Sequence, residues 1–145
     1  MERDGDMKNR IVHRASDSAG VERLGPYAIA ALLSDAEESA GTVYRVRIEA
    51  NEHTATSYHK IAEEFYFVLN GTGTAILDGK SYTLKPGDFL RLPPGTKHAF
   101  VTEADGLEML DIHVPGCRPA KDTYFVEPSD SAGRTAQKPK NPQPG

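Results

Sequence analysis

The apolar residues of this chain come in short runs, and that limits the possible folds more than any other feature. "YAIAALL" from Tyr27, "TVYRVRIEA" from Thr42, "EFYFVLN" from Glu64, "DFLRLP" from Asp88, "HAFVT" from His98 and "LEMLDIHV" from Leu107 are rich in Val, Ile, Tyr and Phe. Each has the length of a strand rather than a helix. Asn70-Gly71 and Asp78-Gly79 are dipeptides suited to positive φ in hairpin turns, and Pro86-Gly87 and Pro94-Gly95 mark further reversals. Short strands separated by turns bury their apolar faces only sheet against sheet, so the pattern specifies an all-β sandwich or barrel. "IVHRA" from Ile11, "TGTAILDG" around Ala75 and "YTL" from Tyr82 complete the expected strands, while "SDAEESA" from Ser34 reads as a loop.

With 145 residues the chain has the length of one domain. The expected folded body is residues 10–126, because "EPSDSAGRTAQKPKNPQPG" from Glu127 onward has too few large apolar side chains to offset its chain entropy. Residues 127–145 are therefore expected to be a flexible C-terminal tail, and residues 1–9 a flexible N-terminal one. A net charge of -4 without clustered Lys and Arg argues against a nucleic-acid surface. Neither a secretory leader nor a run of about 18 apolar residues is visible, which points to a cytoplasmic protein with no membrane span. Cys117 is the only cysteine, so no internal disulfide forms, and "PGCRPA" reads as an exposed turn without chemical function.

Chemistry concentrates in the central strands. Period-two alternation puts Ser57 and His59 on one face, and Glu64, Tyr66 and Val68 on one face of the next strand. The opposite face of that second strand carries Phe65, Phe67 and Leu69. A strand apolar on both faces is covered on both. Glu64 then points into a closed interior, where an unpaired carboxylate costs several kcal/mol and needs a cation or a hydrogen-bond network. The phenylalanine row needs cover that a small barrel lacks, so a homodimer is expected. Glu63, Arg45 and Arg47 read as solvated, and His13 and His53 as ordinary surface or core residues. In "LEMLDIHV" the parity of Leu110, Ile112 and Val114 is apolar and that of Met109, Asp111 and His113 is mixed. The mixed face is expected outward at the sandwich surface; turned inward, His113 is a candidate catalytic base or metal ligand.

Two stretches resemble the motifs of the cupin superfamily, G-x5-H-x-H-x3-4-E-x6-G and G-x5-P-x-G-x2-H-x3-N. Gly87, Pro93, Gly95 and His98 fit the second, with Thr102 in place of the final Asn. His59, Glu64 and Gly71 fit the first. Asn51 replaces its opening Gly, a tolerable change because Asn enters the left-handed region readily. Ser57 replaces its first metal-binding His. The resemblance implies a double-stranded β-helix, or jelly-roll, barrel holding one divalent metal through His59, Glu64 and His98. Ser57 becomes a weak ligand or a water- or substrate-holding neighbour, and Tyr66 and Phe100 shape the pocket. Two imidazoles and a carboxylate are also the ligand set of non-haem Fe(II), although Fe, Mn, Ni and Zn are not distinguished by sequence. The implied function is a small-molecule enzyme, of oxygenase or isomerase/epimerase type, acting on an anionic or polyhydroxylated substrate. The alternative is a non-catalytic cupin that binds or senses a sugar-like molecule, with Glu64 hydrogen-bonded in place of metal.

Overall fold

The computed structural model describes residues 7–17, 20–119 and 121–126. The expected tail at 127–145 and the first six residues of the expected N-terminal tail lie outside the described residues.

Eleven strands occur among the described residues: β1 (Glu22–Leu24), β2 (Tyr27–Ala31), β3 (Thr42–Ile48), β4 (Ser57–Tyr58), β5 (Glu63–Gly71), β6 (Gly73–Leu77), β7 (Lys80–Leu84), β8 (Phe89–Leu92), β9 (His98–Val101), β10 (Leu107–Val114) and β11 (Tyr124–Phe125). They form two antiparallel sheets in the orders β1-β2-β3-β10-β5-β8 and β11-β4-β9-β6-β7. The protein is all-β, a jelly-roll barrel as expected. No helix long and apolar enough to cross a membrane occurs among the described residues.

Turn chemistry sets the crossings between sheets. Asp78 and Gly79 have φ of 49° and 83° and join the paired residues Leu77 and Lys80, the two-residue hairpin expected of Asp-Gly. At Gly87 and Gly95 φ is 92° and 89°, and Asp88 N–H and Thr96 N–H donate back to the carbonyls of Lys85 and Pro93. Proline then glycine at the centre of such turns gives type II geometry. Asn70-Gly71 behaves differently from its expected hairpin. β5 and β6 belong to different sheets, and Gly71, with φ of 82°, is where the chain leaves one sheet for the other.

The inner face follows strand parity. Thr42, Tyr44, Val46 and Ile48 of β3, and Glu64, Tyr66 and Val68 of β5, are buried. On β10 the buried parity is Leu107, Met109, Asp111 and His113, which overturns the expectation that Asp111 and His113 face outward. Register explains this. β10 lies between β3 and β5, pairing Asp111 with Tyr44 and Tyr66, and His113 with Thr42 and Glu64, so its side chains share its neighbours' inward face. One end of the interior is apolar, with Ile48, Val68, Leu84, Phe100, Leu107 and Met109 almost fully enclosed, each contributing roughly 1.5–3 kcal/mol. The other end collects the polar residues.

Two further expectations fail. Residues 11–15 form no strand, and Ile11 is 98% exposed, because no neighbouring strand pairs with this segment. Cys117 is buried rather than sitting in an exposed turn, because the segment after β10 folds back across the barrel mouth. Its N–H donates to Thr42 Oγ1, and the same hydroxyl donates to its carbonyl. On the outer face of β5, Phe67 and Leu69 remain 43% and 36% exposed, and Phe65 stacks on Phe89 of β8, itself 60% exposed. The second sheet does not cover this row.

Candidate metal centre

Three strands and the loop after β4 meet at Glu64. Its carboxylate is enclosed by His59, next to β4, by His98 at the start of β9 and by His113 near the end of β10. Glu64 Oε1 lies 3.2 Å from His59 Nε2 and 3.5 Å from His98 Nε2, while Oε2 lies 2.9 Å from His113 Nε2. The expected ligands His59, Glu64 and His98 are thus brought together and buried, with donor atoms close enough to share one ion.

The tautomers point the same way. A backbone carbonyl only accepts, so His59 carries its proton on Nδ1, which donates to Asp122 O at 2.8 Å. His98 likewise donates Nδ1–H to Thr96 O at 3.0 Å. In their neutral forms both rings turn an Nε2 lone pair toward Glu64, an acceptor, and acceptors facing one another bond only through a cation or an added proton. His98 Nε2 and Glu64 Oε1 are both buried without a hydrogen-bond partner. Orphaned atoms of this kind are costly. The donor set, its burial and its orphaned atoms fit a divalent metal, and imidazoles held by outer carbonyls are the usual way such ligands are oriented.

Charge at the site is unevenly held. Burial raises the Glu64 pKa, but the charges of His98 and His113 outweigh it and keep the carboxyl well below its ordinary range. Burial works against protonating His59, yet its contacts with Cys117 and Glu64 prevail and push its pKa up to about 10. Burial lowers that of His98. Asp111 is held well above the usual carboxylate range by burial and by the charge on Glu64.

Beside this cluster lies a narrow cavity of about 60 Å³. That is room for a few water molecules, each needing about 10–15 Å³. Tyr27, Tyr44, Tyr66, Asp111, His113 and Cys117 line it together with apolar side chains, and His59 and Glu64 border it; no Lys or Arg is among the lining residues. Tyr66 holds its expected place. Phe100 does not line the cavity; it packs edge-to-face behind Tyr66 at 5.1 Å. Ser57 is fully buried opposite His98, and its hydroxyl has no hydrogen-bond partner. His13 and His53 are exposed, as read from sequence.

Sequence reasoning missed Asp122 and Cys117. Asp122 adopts φ of 54°, and its carboxylate accepts the N–H groups of Lys60, Ile61 and Ala62 at 2.8, 3.0 and 3.0 Å, while its carbonyl holds His59. Cys117 Sγ lies 3.4 Å from His59 Nδ1 and donates to Lys121 O at 3.0 Å. The only sequence signal for Cys117 is the general tendency of free cysteine to be buried. Replacing Asp122 with Ala frees the turn that carries His59, so metal affinity should fall about tenfold or more, as for other outer partners of metal ligands. Asp122→Asn, which keeps one acceptor and tolerates positive φ, should lose less. Competition with a chromophoric chelator measures both, and equal affinity in all three proteins would refute the role.

A small-molecule site of imidazoles and a carboxylate inside a jelly-roll barrel defines the class. Residues 44–113 match the family model of the cupin domain, which supports the cupin superfamily. Quercetin 2,3-dioxygenase of Bacillus subtilis is 36% identical over 59 residues, 41% of this chain and 18% of that protein, so the chain spans under a fifth of that relative's length. A Streptomyces protein, Pac13, described as a nucleoside dehydratase and solved with uridine, superposes with a TM-score of 0.68 at 19% identity, over 81% of this chain and 91% of its own. The polyketide cyclase RemF of Streptomyces resistomycificus gives 0.68 at 18% identity, over 82% and 89%.

Proposed function

We propose that the chain is a small-molecule enzyme that holds one divalent metal through His59, Glu64 and His98 and works on an oxygen-bearing substrate in the adjoining cavity. The carrying observation is the buried, orphaned pair of Glu64 Oε1 and His98 Nε2, beside a His59 ring whose Nδ1 proton is tied to Asp122 O. When bound, a divalent ion supplies Lewis acidity to a substrate oxygen. Around it, Asp122 and Thr96 fix the two imidazoles through their carbonyls, and Phe100 backs Tyr66 so that the ring keeps its place in the cavity wall. Asp111 presents a buried carboxyl oxygen with no partner to the same cavity, a hydrogen-bonding site for a substrate. Three tyrosines among apolar side chains, with no Lys or Arg in the lining, suit a partly apolar molecule with one or two oxygens better than a sugar. That the relatives named above include a dioxygenase, a dehydratase and a cyclase supports enzymic use of this site.

The test is elemental analysis of protein purified without chelator, followed by turnover of a substrate panel with metal-loaded and metal-stripped protein, with oxygen uptake recorded. About one equivalent of metal is expected, as is activity that disappears on stripping and returns on reloading. Oxygen uptake assigns the oxygenase type and its absence the isomerase type. Ligand binding by a metal-free protein without turnover would overturn the reading in favour of a sensing cupin.

A further inference from the structure

We propose that His113 is a fourth protein ligand of the metal, taking over from β10 the role that the first-motif position, here Ser57, cannot fill. The assignment rests on the metal reading above and concerns which side chains complete the site. Donor atoms bound at about 2.0–2.1 Å to one ion, with angles near 90–110°, stand about 2.8–3.4 Å apart. His113 Nε2 lies 2.9 Å from Glu64 Oε2 and 3.3 Å from His59 Nε2. Those separations fall within that range, as does the 3.2 Å between His59 and Glu64, while the 3.5 Å between His98 and Glu64 lies just above it.

A proton on His113 Nε2 serves Glu64 Oε2 and His59 Nε2 only as one shared, bifurcated hydrogen bond, whereas an ion satisfies both acceptors at once. In its neutral form His59 carries its proton on Nδ1 toward Asp122 O, and its Nε2 then faces His113 Nε2 as a lone pair. The other side of the His113 ring meets Thr42 Oγ1 at 3.5 Å. That hydroxyl already donates to Cys117 O at 3.1 Å and accepts from Cys117 N–H at 3.0 Å, so toward His113 it offers a lone pair. Thr42 therefore favours the proton on His113 Nδ1 and turns the Nε2 lone pair inward, toward the lone pairs of His59 and Glu64. Three converging acceptors call for a cation.

Position supports the exchange. Ser57 is too short to reach as an imidazole does, and its buried hydroxyl is left without a partner. β10 and β4 lie in opposite sheets of the barrel, so the replacement ligand approaches from the opposite wall.

The experiment loads Cu(II) into wild type, His113→Ala, His113→Gln and the double variant Ser57→His with His113→Ala, and counts nitrogen donors by electron paramagnetic resonance. Zn(II) affinity is measured in parallel by chelator competition, and circular dichroism melts of the metal-free proteins confirm folding. Three nitrogens are expected in wild type, two in both single variants and three again in the double variant. Zn(II) affinity should fall by at least about 100-fold in the single variants, beyond the 10- to 100-fold typical of an outer partner, and recover in the double variant. Bound copper with two nitrogens in wild type overturns this assignment alone, leaving His113 as a hydrogen-bond partner of Glu64. Two nitrogens in the double variant overturn the exchange with Ser57. Wild-type protein that takes up neither ion overturns the metal reading and this assignment together.

Discussion

His98→Ala is expected to emerge from purification with almost no bound metal, where the wild type carries about one equivalent. His98 is fully buried, and its Nε2 has no partner besides the ion it is proposed to hold. Removing it takes away a buried ligand whose tautomer is already set by Thr96 O, and the weakened affinity lets purification strip the ion even where His113 remains as a donor. A metal that binds only the folded state also stabilises it, by about 2.7 kcal/mol at a free concentration 100 times the dissociation constant. Added metal should therefore raise the wild-type melting temperature and leave that of the variant nearly unchanged. Inductively coupled plasma analysis and paired thermal melts measure both effects. Full metal retention by the variant would remove His98 from the ligand set.

The second large effect is on stability. Gly71→Ala should destabilise the fold by about 2–5 kcal/mol, combining roughly 1–2 for an L-residue at positive φ with 1–3 for forced overpacking. A Cβ at Gly71 would fall 1.9 Å from the carbonyl oxygen of Gly106 and 2.8 Å from its carbon. Both are backbone atoms of the residue just before β10, so no rotamer change relieves the overlap. Gly79→Ala is the control. Its φ of 83° is nearly the same as the 82° of Gly71, but nothing lies within 4 Å of its would-be Cβ, and only the conformational cost of about 1–2 kcal/mol applies. Urea unfolding of the two variants separates the contributions, and equal losses would show that the crossing at Gly71 yields to β10 without cost.

Much of the site was legible because its residues follow local rules. Alternation grouped Glu64 with Tyr66 and Val68 and apart from Phe67, and the motif that contains Glu64 turned its group inward. Motif spacing brought His59, Glu64 and His98 together, and the structure groups those three around one carboxylate. Asn51, standing where the first motif has Gly, adopts φ of 58°, the left-handed conformation for which Asn is suited. Turn dipeptides were read correctly where the flanking strands pair with each other, as at Asp78-Gly79, and incorrectly at Asn70-Gly71, whose flanking strands belong to different sheets.

By itself the sequence determined an all-β chain, the inward parity of β5 and the three motif residues, because these depend on neighbours two to six positions away along the chain. Only the tertiary structure decided the face of β10, since alternation fixes which residues share a face but not which face is inside. That choice comes from pairing with β3 and β5 on either side, and it carries Asp111 and His113 into the interior. The same holds for Cys117 and Asp122, which are more than 50 residues from His59 in sequence and reach it only because the chain after β10 closes over the barrel mouth through hydrogen bonds to Thr42 and to the turn at 60–62.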